Sequence, residues 1–176
     1  MTTSLKISDL KSGDVLLYSG KSWISRAIEL FEKSPWSHAS LIFDIYGEIL
    51  TSEAEQQGLI ANSVTQSIAG CKMIVLRPKF EINTQEVSQF VAPNLGKHGY
   101  GFFRLIIVQG IWQLFHVWIL KDSTSEPLKR VICGEWVTYA LFKIFNIKEF
   151  ELWYEATPVT LYKSDLFDHY ELDTAD

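Results

Sequence analysis

The stretch that most constrains this chain is Val131 to Phe145, which reads Val-Ile-Cys-Gly-Glu-Trp-Val-Thr-Tyr-Ala-Leu-Phe-Lys-Ile-Phe. Val137, Ala140, Leu141, Ile144 and Phe145 recur at the three- and four-residue spacing of one helical face, and that apolar face has to be buried against the rest of the fold. Cys133 then falls at or near the helix N-terminus. The first turn of a helix has unpaired N–H groups and a partial positive charge, which favour a thiolate, the form that attacks a carbonyl carbon. A cysteine in an apolar segment is more often a small buried hydrophobe, so the case for a nucleophile rests on what the remainder of the chain supplies.

A length of 176 residues with 47% hydrophobic residues suits a single domain, residues 1–176, with one real core. Formal net charge is −5, and the 16 lysines and arginines are scattered singly, which argues against a nucleic-acid partner. The first ten residues contain no apolar run of the secretory kind, so the expected location is cytoplasmic. There the two cysteines, Cys71 and Cys133, are expected to stay reduced. No Cys/His cluster has metal-ligand spacing, and neither a metal nor a cofactor is expected.

In chain order, Ser12-Gly13-Asp14 reads as a turn, Val15 to Tyr18 as a short strand, and Ser22 as the N-cap of a helix running to Lys33. Trp36 to Ile45 alternates, with Ala39, Leu41, Phe43 and Ile45 on one face and His38, Ser40, Ile42 and Asp44 on the other. A turn at Tyr46-Gly47 returns the chain through Glu48 to Glu53 as an antiparallel hairpin. If the loop centres between Ile45 and Tyr46, His38 faces Glu53; if it centres between Tyr46 and Gly47, His38 faces Glu55. Either carboxylate shares the face of His38 and could orient an imidazole acting as general base. The plainer reading is a satisfied structural histidine beside solvated glutamates.

Further along, Cys71 to Leu76 reads as a strand with Cys71 in the core, and Asn83 or Thr84 caps a helix broken early by Pro93. The most apolar part is Phe102 to Leu120, about 28 Å long if helical. Arg104, Gln109, Gln113 and His116 interrupt it, so a core helix is expected first. A lipid-facing helix making peripheral membrane contact comes second, and a span last. Phe167 to Leu172 reads as a final edge strand.

Taken together, Gly13-Asp14, Ser37-His38-Ala39-Ser40-Leu41, Ser52-Glu53-Ala54 with Gly58, Gly99-Tyr100, and Cys133-Gly134-Glu135-Trp136-Val137 resemble the circularly permuted papain-like cysteine hydrolases. That is the branch of the NlpC-type superfamily related to lecithin-retinol acyltransferase-like proteins. The resemblance spans Leu10 to about Ser164. It implies an α+β, circularly permuted papain-like fold, with a small antiparallel sheet or open barrel packed against the helix that carries the cysteine. It also implies Cys133 as nucleophile, His38 as base, Glu53 as the orienting residue and Tyr100 beside the oxyanion. Family members often have serine after the cysteine, where this chain has Gly134. The expected activity is a cysteine amidase or peptidase working through an acyl-enzyme on a peptide or amide. One alternative is an acyltransferase or lipid or thioester hydrolase that takes an acyl chain along 102–120. The other is a catalytically silent binding module.

Overall fold

The computed structural model describes residues 4–20, 26, 29–30, 33–55, 57–97, 99–100, 130–151, 153 and 156–173. The predicted helix from Ser22 falls mostly outside these residues, and the whole of Phe102 to Leu120 lies outside them.

The strands are β1 (Ser4–Lys6), β2 (Val15–Tyr18), β3 (His38–Ile45), β4 (Glu48–Glu55), β5 (Gly58–Ser63), β6 (Met73–Pro78) and β9 (Phe167–Asp173), with a separate pair β7 (Gly99–Tyr100) and β8 (Arg130–Val131). The helices wholly within the described residues are α1 (Val64–Ile68), α2 (Thr84–Val91), α3 (Cys133–Phe145) and α4 (Pro158–Lys163). Seven strands form one sheet in the order β1-β9-β6-β2-β3-β4-β5. Every pairing in it is antiparallel except β1 with β9, which is parallel.

This sheet corrects the fold expected from sequence. It is a wide mixed sheet of seven strands, where a small antiparallel sheet or open barrel in a permuted papain-like fold was expected. The physical reason is long-range pairing of the two ends of the chain. Val75 to Pro78 of β6 pair with Phe167 to Tyr170, and Ser4 to Lys6 then pair with Glu171 to Asp173. A three-residue strand such as Ser-Leu-Lys is too short to carry a period, so its membership is decided by the partner and not by its own residues.

β2 sits inside the sheet and is buried on both faces. Val15 and Leu17 join Ala39, Leu41 and Phe43 in the larger core beneath α2 and α3, while Leu16 and Tyr18 join Ile42 and Val75 on the other face. There Leu5, Leu10, Val64 and Ile68 form the cover. α3 contributes Cys133, Trp136, Val137, Ala140 and Leu141 to the first core. The Trp136 indole donates to Ser52 Oγ of β4 at 3.0 Å, which pins the helix to the strands. Asn83 caps α2, accepting from the N–H groups of Gln85 and Glu86, and the helix gives way to a 3-10 turn at Ala92–Asn94 where Pro93 breaks it. Asn146 ends α3 in the left-handed conformation at φ 52°.

The β3–β4 hairpin turns on Tyr46 and Gly47, whose φ values of 54° and 87° fit a two-residue loop of the kind that matches strand twist. Ile45 therefore pairs with Glu48 and Leu41 with Ser52. This is the register centred between Tyr46 and Gly47. β6 starts at Met73, and Cys71, expected in the core, is instead only partly buried. Among the described residues no helix is long and apolar enough to cross a membrane.

Candidate functional site

Cys133 opens α3 directly after β8, and β8 is held in place by its parallel pairing with β7. The Glu135 carboxylate accepts the Ile132 N–H at 3.3 Å and steadies the entry to the helix. The next residue, Gly134, has no room for a side chain. A Cβ there would stand 2.7 Å from the Ala156 carbonyl oxygen and 2.9 Å from Thr157 Cα. The chain leading into α4 therefore lies directly against the first turn of the cysteine helix.

The Cys133 thiol is buried at the start of β3, with its Sγ 4.0 Å from the Ser37 carbonyl oxygen. Burial pushes a thiol up. The positive charge and hydrogen bond of His38, together with the N–H groups of Ala39 and Gly134, outweigh that and hold Cys133 below its ordinary value. For His38, burial works toward the neutral form. The Cys133 thiolate, and behind it Glu53, overcome this and raise the imidazole to about 10. Each group thus favours the charged form of the other.

His38 is the first residue of β3 and stands opposite Tyr18 of β2, with the two ring centroids 4.8 Å apart. Its Nε2 lies 3.7 Å from Glu53 Oε2. That distance is a charge contact and exceeds a hydrogen bond, and Nε2 has no hydrogen-bond partner among the described residues. Extended along the ladder, the observed register would set Glu55 opposite His38, yet Glu53, on the diagonal, is the carboxylate that reaches the ring.

The reason is a cage of hydroxyls around Glu53. Tyr18 donates to Oε2 at 2.6 Å, and Thr51 and Ser67 both donate to Oε1, Thr51 at 2.5 Å. Burial opposes ionisation of Glu53, but the His38 imidazolium and the Ser67 and Thr51 hydroxyls outweigh it and hold the carboxyl down to about 2. Glu55 goes the other way, pushed up by burial and by the negative charge of Glu53.

The structure thus brings together Cys133, His38 and Glu53. It places the Tyr100 backbone opposite Val131, two residues before the cysteine, while the Tyr100 side chain lies outside the described residues. Sequence reasoning missed Tyr18, Thr51 and Ser67. Thr51 was findable, since it is two residues from Glu53 and so shares its face. Tyr18 was findable only with the β2–β3 register. Ser67 reaches Glu53 from α1, and no local pattern marks it.

Among the described residues no group of three His, Cys, Asp or Glu side chains is arranged to hold a metal ion. Glu53 in particular has both oxygens engaged by hydroxyls.

No protein-family model matches the chain, and no curated protein sequence matches it. Among solved structures it is similar to the crystal structure of metalloprotein yiiX, DUF1105, from Escherichia coli O157:H7. The TM-score is 0.68 at 18% sequence identity, covering 93% of this chain and 97% of that one. At that identity the likeness shows the fold alone. The chain has the seven-stranded mixed-sheet architecture described above, a fold it shares with yiiX, in place of the one the sequence resemblance implied.

Proposed function

We propose that this protein is a cysteine hydrolase of the amidase or peptidase class, cleaving an amide or related acyl bond through an acyl-enzyme on Cys133. The observation that carries the reading is the helix-N-terminal Cys133 thiol beside the His38 imidazole, itself backed by the caged Glu53 carboxylate. Three chain segments converge on one end of the sheet to make this arrangement, and a structural cysteine needs neither partner. We include in the reading a kinship with NlpC-type cysteine hydrolases, supported by the order of these residues along the chain. We also include a reducing compartment, in which the free thiols of Cys71 and Cys133 persist.

In this mechanism the Cys133 thiolate adds to the substrate carbonyl carbon, and the negative charge moves to the carbonyl oxygen. The N–H groups of the first turn of α3 receive that oxyanion. As the C–N bond breaks, the His38 imidazolium gives its proton to the leaving amine, leaving a thioester on Cys133 and a neutral imidazole. His38 then takes a proton from water as the hydroxide oxygen attacks the thioester. Expulsion of the carboxylic acid product restores thiolate and imidazolium. Glu53 stabilises the imidazolium at both stages.

The test is intact-mass detection of an acyl adduct on the Cys71→Ser protein after mixing with activated acyl esters and short peptide amides, repeated with Cys133→Ala and His38→Ala. The proposal expects an adduct that maps to Cys133, loss of turnover in Cys133→Ala, and a decrease of about 10²–10⁴-fold in His38→Ala. Full turnover in both variants would overturn it. An adduct resolved by an added amine or lipid alcohol in preference to water would make the enzyme a transferase.

A further inference from the structure

His38 is faced by Tyr18 from β2, by Glu53 from β4 with Glu55 beyond it on the same strand, and by Cys133 from α3. Two facts at this junction belong together. His38 Nε2 is buried and without a hydrogen bond among the described residues, and Glu53 Oε2, 3.7 Å from it, accepts the Tyr18 hydroxyl at 2.6 Å. The other carboxylate oxygen is held by Thr51 and Ser67 and is not the one turned to the ring.

We propose that Tyr18 is a positioning residue that sets the gap between the imidazole and its carboxylate: its hydroxyl holds Oε2 at 2.6 Å and its ring lies against the imidazole, so Oε2 is kept toward the phenol and 3.7 Å from His38 Nε2. This rests on the reading of Cys133 and His38 as an activated pair and adds to it a control on how strongly the pair is ionised. The Tyr18 phenol stays protonated because burial and the adjacent Glu53 carboxylate both push it well above its ordinary value, so it is a permanent donor across the working range. A donor fixed on Oε2 draws off part of the charge that would otherwise stabilise the imidazolium. The carboxylate keeps its place even without it, because Thr51 and Ser67 anchor Oε1.

Tyr18→Phe removes the hydroxyl and keeps the ring. It frees Oε2 for the His38 Nε2–H, and a new hydrogen bond to the charged imidazole favours the ion pair. The midpoint of Cys133 alkylation by iodoacetamide, measured in the Cys71→Ser background, should fall by about half a pH unit or more. The Nε2 proton resonance of His38 should also move downfield. Ser67→Ala, which releases only Oε1, should leave that resonance in place. A purely structural hydroxyl would lower thermal stability and move neither readout.

Should Tyr18→Phe fail to fold, 3-fluorotyrosine inserted at position 18 keeps the shape and strengthens the donor, and the midpoint should then rise. An unchanged midpoint and resonance in folded Tyr18→Phe, or an unchanged midpoint with the fluorinated residue, overturns the inference. If the parent midpoint already lies at the free-thiol value and ignores His38→Ala, the failure belongs to the activated-pair reading and not to Tyr18.

Discussion

Gly134→Ala is a severe test of how the site is built, because helix propensity and packing predict opposite signs. In a helix interior the change should stabilise by about 1 kcal/mol. Here the new Cβ would meet the Ala156 carbonyl oxygen at 2.7 Å and the Thr157 carbonyl carbon and Cα at 2.9 Å. A carbon–oxygen contact relaxes only near about 3.3 Å, so two backbone segments must part by roughly half an ångström. Neither is free to move. Thr157 caps α4 by accepting the Thr160 N–H, and Leu161 of that helix is fully buried in the core beside α3. Overpacking costs about 1–3 kcal/mol, toward the upper end when the obstacle is backbone. After the propensity gain, a net loss of about 1–2 kcal/mol remains, or about 2–8 °C in Tm for a chain of this size. The displaced element is the first turn of α3, so iodoacetamide reactivity of Cys133 should fall by about tenfold as well. Gly134→Ser, which installs the residue that permuted cysteine hydrolases often have, should act in the same direction. Thermal unfolding by circular dichroism and alkylation rates check both. An unchanged or higher Tm in Gly134→Ala would refute the packing argument.

Glu53→Gln should reduce turnover by about 10²–10⁴-fold by analogy with removal of an orienting carboxylate, whereas Glu55→Gln should change it by less than about threefold; equal losses would mean that the diagonal contact is not the functional one. Because Glu53 is held down to about 2 when folded and titrates near 4.5 otherwise, its contribution to stability is complete above about pH 5 and disappears as pH falls toward 2. Urea unfolding of wild type should show that acid loss, and Glu53→Gln should flatten it; parallel pH curves would count against the shift. Arg77 donates to both oxygens of the nearly fully buried Asp14 at 2.9 and 2.7 Å. Arg77→Met should therefore cost about 2–4 kcal/mol, and Asp14→Asn/Arg77→Met less than the sum of the singles, because Arg77→Met alone strands the buried Asp14 carboxylate. Additive losses in urea unfolding would show the pair to be uncoupled.

The parts of this site that local sequence reveals are those written in short-range pattern. The α3 face, the alternation of β3, the Tyr46-Gly47 turn and the N-terminal position of Cys133 all follow from spacing and turn chemistry, and all are present. What escaped is non-local. The width of the sheet depends on residues 4–6 meeting residues 171–173, and nothing in Ser-Leu-Lys announces that partner. Hairpin arithmetic narrowed the orienting carboxylate to Glu53 or Glu55, but the register that formed favours Glu55 in line while the hydroxyls of Tyr18, Thr51 and Ser67 select Glu53 on the diagonal. Those hydroxyls come from β2, β4 and α1, and only the fold puts them on one carboxylate. The absence of a side chain at Gly134 likewise reads in sequence as a departure from a family pattern. In three dimensions it is the space taken by Ala156 and Thr157.

The central claim is that Cys133 and His38 form an activated thiolate–imidazolium pair, and the pH dependence of Cys133 alkylation by iodoacetamide tests it most directly. The measurement is made on Cys71→Ser protein with and without His38→Ala. The account predicts a midpoint well below the roughly 8.5 of a free thiol, moved upward when His38 is lost. A midpoint at or above the free value, indifferent to His38, would contradict it and make Cys133 a buried structural residue.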